Sequence, residues 1–451
     1  MTVEEMEDEA IAQPSVRSLV EIEVEDLFGA FSYRLLANQD PSKLVILYGD
    51  NGSGKTTLLE CTYHLISPSM DSGHRGYLSR VQFRRFGVRF SGGWKIVIDR
   101  PESTKGDYKL SFLEPGQLQP TVLRFDAEKG TFADSRSSEL GSFLRRLNVE
   151  IYFLRADRTL QADSSAQSRR AERERRLRRA NQLRPYDGVI ELEAGDDERS
   201  SLDQAIAITN DYLRRKSSRA ANVGGKSTNS IYEDVVKKIG GPARTLDVLV
   251  DPSKESLERR LTLLSERTLD FARFSLMPPL NAQDLLDTIG KAPDDRLHLI
   301  ASVLEPHLDS VAARLDALES TQRLIAGLVE DVNAFFTNKR IRFSLSSGIQ
   351  IVSANGTPLA PGMLSSGEKH LLLMFCHTVV AYGKRTLFII DEPELSLNIK
   401  WQHKIVEKLL DVVKDSPMQF IFATHSIELL SQHLDKVVKV VPEITSAKTL
   451  E

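Results

Sequence analysis

The sequence predicts an α/β fold, in which a buried parallel sheet is built from two distant parts of the chain. An antiparallel β-subdomain lies beside this sheet, and a long helical insertion parts its two halves. Three observations predict this. The apolar run Leu44–Tyr48 leads directly into Gly49-Asp50-Asn51-Gly52-Ser53-Gly54-Lys55-Thr56-Thr57, a G-x-x-x-x-G-K-[ST] loop that opens the helical pattern Thr57–Leu65. More than 300 residues later a second apolar run, Leu387–Ile390, ends on Asp391-Glu392-Pro393. Between them the hydrophobic period is near two up to about residue 160, helical from there to about 339, and near two again after that.

The elements follow in chain order. Residues 1–16, rich in Glu and Asp, read as a flexible acidic leader. Arg17–Val24 and Gly29–Leu36 alternate as strands ahead of the central strand Leu44–Tyr48. Leu78–Phe90, Trp94–Ile98 and Tyr108–Leu113, separated by Gly92-Gly93 and Lys105-Gly106-Asp107, form an antiparallel meander. Ser137–Leu147 is a short helix, and Glu150–Leu154 returns to the core sheet. From Leu160 the pattern is helical over Leu202–Arg215, Ser230–Ile239 and Ser256–Phe274. The longest stretch, Arg296–Asn333, is amphipathic and reads as a helix pair pivoting near Pro306. Its apolar stripe suits plain helix packing, a short coiled coil or an oligomer contact. Arg340–Ser353 resumes as a hairpin turning at Gly348. The predicted units are thus the leader 1–16, a first half 17–160, a helical insertion 161–339 and a second half 340–451.

The loop after Leu44–Tyr48 carries the clearest chemistry. Its glycines let the backbone curl around a phosphate with N–H groups pointing inward at a helix N-terminus. Lys55 is placed for β- and γ-phosphates, and the Thr56 hydroxyl for magnesium. Asp391, ending a buried strand, is placed to hold the same magnesium, and Glu392 to polarise an attacking water. Together these predict a nucleoside-triphosphatase using Mg²⁺. Leu364-Ser365-Ser366-Gly367-Glu368 opens another apolar helix with a second anion-binding turn. The chain already has one complete phosphate loop, so this turn is expected to serve another molecule. Met418–Phe422 runs into Ala423-Thr424-His425, and a histidine at that strand edge suits contact with the γ-phosphate region.

Composition narrows the setting. Of 451 residues, 41% are hydrophobic and 27% charged, as in a soluble globular protein. No apolar run approaches membrane-spanning length, and the acidic start is wrong for a secretory signal. Cys61 and Cys376 lie in apolar helical patterns and read as buried thiols in a reducing cytoplasm. Net charge is only −4, but Ser164–Arg184 holds eight arginines against two glutamates. That run suits nucleic acid or an acidic partner, and equally a solvated helix face.

Gly49–Thr57, Leu364–Lys369, Leu387–Pro393, Glu394–Asn398 and His425 resemble, in order, the Walker A, signature, Walker B, D-loop and switch histidine of an ABC-type P-loop ATPase head. The branch the chain most resembles is the SMC/RecF-like one, marked by a helical insertion, and within it the compact anti-phage defence type. The ATPase subunits of the PARIS and Septu systems are examples, the PARIS type being nearer. The resemblance implies a homodimer or higher homo-oligomer that sandwiches ATP between heads, with Ser366 and Gly367 completing a neighbour's Lys55 site. It implies D-loop roles for Leu395, Ser396 and Asn398, and a water-watching glutamine, for which Gln161 is the candidate and Gln82 the alternative. Phe28 or Phe31 would pack near adenine or belong to the core. No nuclease constellation is present, so a separate effector such as a nuclease is expected to do any cutting. A DNA-binding repair ATPase and an ATP-locked scaffold are the competing expectations.

Overall fold

The structure is a computed structural model that describes residues 17–36, 42–70, 73–133, 136–163, 201–221 and 253–441. The leader 1–16, the arginine run Ser164–Arg184 and the expected helix Ser230–Ile239 lie outside the described residues. The chain divides into two compact units, Met1–Gly195 with Ala381–Glu451, and Asp196–Val380. These divisions differ from the expected ones at 160/161 and 339/340.

The first unit holds two sheets. Strands β1 (Leu19–Leu27), β2 (Phe31–Leu35), β4 (Arg85–Phe90), β5 (Trp94–Asp99), β6 (Tyr108–Leu113), β7 (Thr121–Asp126) and β8 (Thr131–Phe132) form a seven-stranded antiparallel sheet ordered β2-β1-β4-β5-β6-β7-β8. The second sheet has the order β10-β9-β14-β15-β3-β16, from β3 (Leu44–Tyr48), β9 (Glu150–Leu154), β10 (Leu160–Asp163), β14 (Thr386–Asp391), β15 (Met418–Thr424) and β16 (Val437–Lys439). Its strands are parallel except β10, which folds back antiparallel on β9. Every residue of β14 and β15 is buried, as expected of parallel strands covered on both faces. Parallel pairing of β9, β14, β15 and β3 brings the C-terminal ends of strands from both parts of the chain to one sheet edge.

Helices α1 (Lys55–Ile66), α2 (His74–Arg80) and α3 (Ser137–Leu147) share one apolar core with both sheets. Trp94 and Phe112 pack on Phe143 of α3 at ring distances of 5.4 and 4.9 Å. Two buried arginines finish the first two helices. Arg75 donates to Ser67 O at 2.9 Å and to His64 O, at the end of α1. Arg100 donates to Leu78 O at 2.5 Å and Phe83 O at 2.9 Å, with its guanidinium over the Phe83 ring. Carbonyls left over at a helix end need such donors once water is excluded.

Two expectations are corrected in this unit. Residues 78–80 are helical, and the meander starts only at Arg85. Gly73, at φ 72°, turns the chain into α2, and Arg100 satisfies carbonyls at its end. Leu160–Asp163 is a strand, not the start of the helical region. Four residues are too few for a period to show, and Asp163 is held by the Ser69 N–H at 3.0 Å.

In the second unit, residues 201–221 are helical, followed by α5 (Lys254–Ala272), α6 (Gln283–Lys291) and α7 (Asp294–Phe335); the helix over 201–221 is α4. The hairpin at Gly348 is present as β11 (Lys339–Ser344) and β12 (Gly348–Ser353), joined by β13 (Pro358–Leu359). Helix α8 (Ser366–Ala381) completes the unit. The pair expected to pivot at Pro306 is one helix of 42 residues. Proline in a helix interior costs about 3 kcal/mol, but Leu304 and Leu308, on either side, are buried with Leu315 and Leu318 on one seam. An unbroken helix keeps that seam in line. Helices α5 and α7 run parallel, tied by Arg260–Asp309, Arg267–Asp316 and Arg273–Glu330. Leu257, Leu261, Leu264, Thr268 and Phe271 are buried along α5 at alternating steps of four and three. This is a short coiled coil formed within the chain.

Candidate functional site

The loop between β3 and α1 is shaped by its glycines. Gly52 and Gly54 sit at φ 84° and 82°, a region that other residues enter only with strain. A Cβ on Gly54 would also lie 2.9 Å from Leu27 Cδ2. No side chain caps α1 and no acidic residue stands in its first turn, so its leading N–H groups face the loop's concavity with the positive end of the helix dipole. Lys55 is buried, and its Nζ spans the loop to Gly49 O at 2.8 Å and Asp50 O at 3.0 Å. Tyr33 braces the outside, its hydroxyl donating to Ser53 O at 2.9 Å. Phe28 is 46% exposed beside Gly54, whereas Phe31 stacks on Tyr33.

The end of β14 meets this loop. Thr56 Oγ1 donates to Asp391 Oδ2 at 2.8 Å. Asp391 is 2% exposed, and its Oδ1 has no hydrogen-bond partner. Burial raises its carboxyl above the usual range, with the Thr56 hydroxyl pulling the other way. A desolvated carboxylate with a spare oxygen, beside a threonine hydroxyl and a phosphate loop, fits a hard divalent cation such as Mg²⁺. Thr56 and Asp391 are the residues that would hold it.

Beyond Asp391 the chain turns sharply. Glu392 is left-handed at φ 52°, with its N–H on Ala423 O at 2.9 Å. Its carboxylate meets His425 Nδ1 at 2.6 Å. Glu394, buried, receives His425 N at 3.2 Å and the Thr424 hydroxyl. Partial burial and the neighbouring Glu394 carboxyl push Glu392 up to about 7, with His425 opposing. A carboxylate so raised is a stronger base than a free one. Leu395 is 42% exposed, Ser396 is again left-handed at φ 65°, and the Asn398 side chain caps helix α9 (Ile399–Val412) through Trp401 N at 3.0 Å. Past His425 the chain forms the short helix α10 (Ile427–Leu430).

Gln161 lies in β10 opposite Phe153, its Oε1 buried and without a hydrogen-bond partner. Gln82 stands instead at the β1–β2 corner, its carbonyl accepting Phe28 N at 2.9 Å. The β9–β10 turn carries two residues that sequence reasoning passed over. Arg155 pairs with Glu60 of α1 at 2.7 Å, and Arg158 donates to Ser396 Oγ at 2.8 Å. Tyr33 was missed as well, and Glu394, which opens the D-loop motif, was given no role of its own. The Glu-Pro-Glu spacing was a visible signal for Glu394, whereas nothing local marks the two arginines.

In the second unit, Ser365 and Glu368 form a capping box at the start of α8. Glu368 Oε2 accepts Ser365 N at 2.7 Å, and Ser365 Oγ accepts Glu368 N at 3.3 Å. Lys339 pairs with Glu368 at 2.7 Å, and this ion pair and the capping bonds hold the carboxyl below its usual range against burial. Leu364 and Gly367 are buried, and Ser366 is exposed.

Residues 44–431 match the family model described as an AAA domain, putative AbiEii toxin, Type IV TA system. No curated protein matches the sequence. Among solved structures, one similar chain is the Smc head domain with an extended coiled coil, bound to the C-terminal domain of ScpA, from Pyrococcus furiosus. It is 12% identical, with 94% of this chain and 95% of that one covered and a TM-score of 0.36. Another is an SmcHead bound to the C-winged helix domain of ScpA, at 11% identity, 94% and 97% coverage and a TM-score of 0.38.

Proposed function

This chain belongs to the family described as an AAA domain, putative AbiEii toxin, Type IV TA system, and we propose that it is an ATP-hydrolysing regulator in anti-phage defence that controls a separate effector such as a nuclease. The observation that carries the ATPase reading is the bond from Thr56 to Asp391, with the Glu392–His425 pair next along the chain. The loop amides and Lys55 bind the triphosphate. Magnesium, when bound, neutralises charge between phosphate oxygens. Glu392 orients a water and takes its proton as the water oxygen bonds to the γ-phosphorus and the bond to the β-phosphate oxygen breaks. His425 holds Glu392 in place. The products are ADP and phosphate.

The defence role rests on the family description and on the absence of nuclease motifs from the sequence. Two copies are proposed to close on ATP, each lending Ser366 and Gly367 to its neighbour. The capping box supports that division of labour: Ser365 and Glu368 are engaged in starting α8, which leaves the exposed Ser366 hydroxyl for a ligand. Buried Cys61 and Cys376 suit a reducing cytoplasm.

The test is ATP turnover and solution mass of the full chain with its Lys55→Ala, Glu392→Gln and Ser366→Arg variants. Lys55→Ala is expected to lose ATP binding. Glu392→Gln is expected to bind ATP, lose turnover by two or more orders of magnitude and accumulate a larger assembly. Adding Ser366→Arg should abolish that assembly while ATP still binds. An assembly that ignores ATP and Ser366 would end the sandwich reading.

A further inference from the structure

The turn between β9 and β10 grips the site from two sides. It is tight and internally bonded: Arg155 N–H reaches Thr159 O at 3.0 Å, Arg158 N–H reaches Arg155 O at 2.9 Å, and Asp157 Oδ1 accepts both Thr159 N–H and its hydroxyl. One arm, Arg155, pairs with Glu60, a buried residue one helical turn beyond Thr56 on α1. Glu60 also takes the Tyr77 hydroxyl, and Tyr77 stacks on His64 at 4.0 Å. The second arm, Arg158, reaches Ser396, four residues past Glu392.

A second observation bears on the same contact. Arg158, Glu392 and Ser396 have φ of 70°, 52° and 65°, left-handed values without glycine's freedom. Each costs on the order of 1 kcal/mol and persists only where neighbouring contacts hold it. The Arg158–Ser396 bond is one contact that ties the two turns together, beside the backbone bonds within each turn, Arg158 N–H to Arg155 O at 2.9 Å and Leu397 N–H to Glu394 O at 2.9 Å. Glu392 is anchored on its other side by Ala423 O and His425.

We propose that the Arg155–Thr159 turn is a clasp, with Arg155 fixing the helix that presents Lys55 and Thr56 and Arg158 fixing the loop that presents Glu392. Both arginines are then positioning residues for hydrolysis. This rests on the ATPase reading above, while both arms of the clasp are contacts within the chain itself. A two-armed turn makes the distance between phosphate loop and base a property of one rigid element. Breaking the Ser396 arm loosens the far side of the base loop, with Glu392 still held by Ala423 O and His425, and leaves the phosphate loop intact.

The experiment compares the full-length wild type with Arg158→Ala, Arg158→Lys, Ser396→Ala and the Arg158→Ala/Ser396→Ala double variant. Three quantities are read: kcat, the Kd of a fluorescent ATP analogue, and amide hydrogen exchange across 392–398. Arg158→Ala is expected to lower kcat about tenfold with Kd within about twofold, and to speed exchange in 392–398 about tenfold. Ser396→Ala should do the same, and the double variant no more than either single. Arg158→Lys should restore part of kcat. The clasp is refuted if the two single losses multiply in the double variant, if Kd worsens as much as kcat, or if exchange in 392–398 does not change. If the wild type binds ATP but does not turn it over, the hydrolysis reading fails on its own, and the exchange results alone decide the clasp.

Discussion

Thr56 Oγ1 lies 2.8 Å from Asp391 Oδ2, joining residues 335 positions apart at the edge of one sheet. The other oxygen of Asp391 is buried without a partner. Thr56→Val and Asp391→Asn are therefore each expected to weaken Mg²⁺-dependent ATP binding by about tenfold or more. Binding measured in EDTA should change far less. Titration of a fluorescent ATP analogue with and without Mg²⁺ checks this, and equal losses in both conditions would count against a cation at this pair.

Gly54 tests the loop's shape. An alanine there would meet Leu27 Cδ2 at 2.9 Å and would be held at φ 82°. Gly54→Ala is expected to cost about 1–2 kcal/mol of stability and to abolish ATP binding. Adding Leu27→Ala removes the clash but not the strained backbone, so ATP binding should stay lost. Chemical denaturation and ATP titration of both variants read the two effects separately.

Arg100 tests the buried cations. It is 2% exposed, donates to Leu78 O and Phe83 O, and burial pushes its guanidinium down to about 10. Arg100→Met strands those carbonyls and should destabilise the chain by about 3 kcal/mol, read from denaturant midpoints. Arg100→Lys should recover little, because one ammonium lacks the planar fork that serves several carbonyls.

Two buried histidines contribute to acid sensitivity. Burial pushes His377 down to about 4, and burial with the adjacent His74 pushes His64 down to about 3. Both are neutral in the fold, whereas the unfolded chain binds protons near pH 6.5. Their stabilising contribution is whole above that pH and is lost as pH falls toward 4. His377 alone should account for about 2 kcal/mol of the loss by pH 4.5. Denaturant midpoints between pH 7.5 and 4.5 should fall, and His377→Gln should flatten the slope.

The phosphate loop was legible because its chemistry is contiguous. Nine neighbouring residues, Gly49–Thr57, carry the turn, the cation and the hydroxyl together. The strands β3, β14 and β15 were legible because unbroken apolar runs suit a sheet covered on both faces. The edge strand β10 and the helix α2 were not. Each is short, and each is held by a distant partner, Ser69 for Asp163 and Arg100 for Leu78. The unbroken α7 was misread at Pro306, since a proline's local penalty is visible in a sequence but the buried seam that outweighs it is not.

By itself, then, the sequence determined where the glycine-rich loop opens helix α1 and which carboxylates end the central strand β14. It did so because backbone propensity and hydrophobic period act over a few residues and leave a local imprint. Only the tertiary structure decided that Glu394 and His425 flank Glu392 and that Arg155 and Arg158 hold two separate parts of the site. Those pairings depend on parallel strand order and on two neighbouring turns, and a side chain that meets its partner across a sheet edge leaves no spacing rule in the chain.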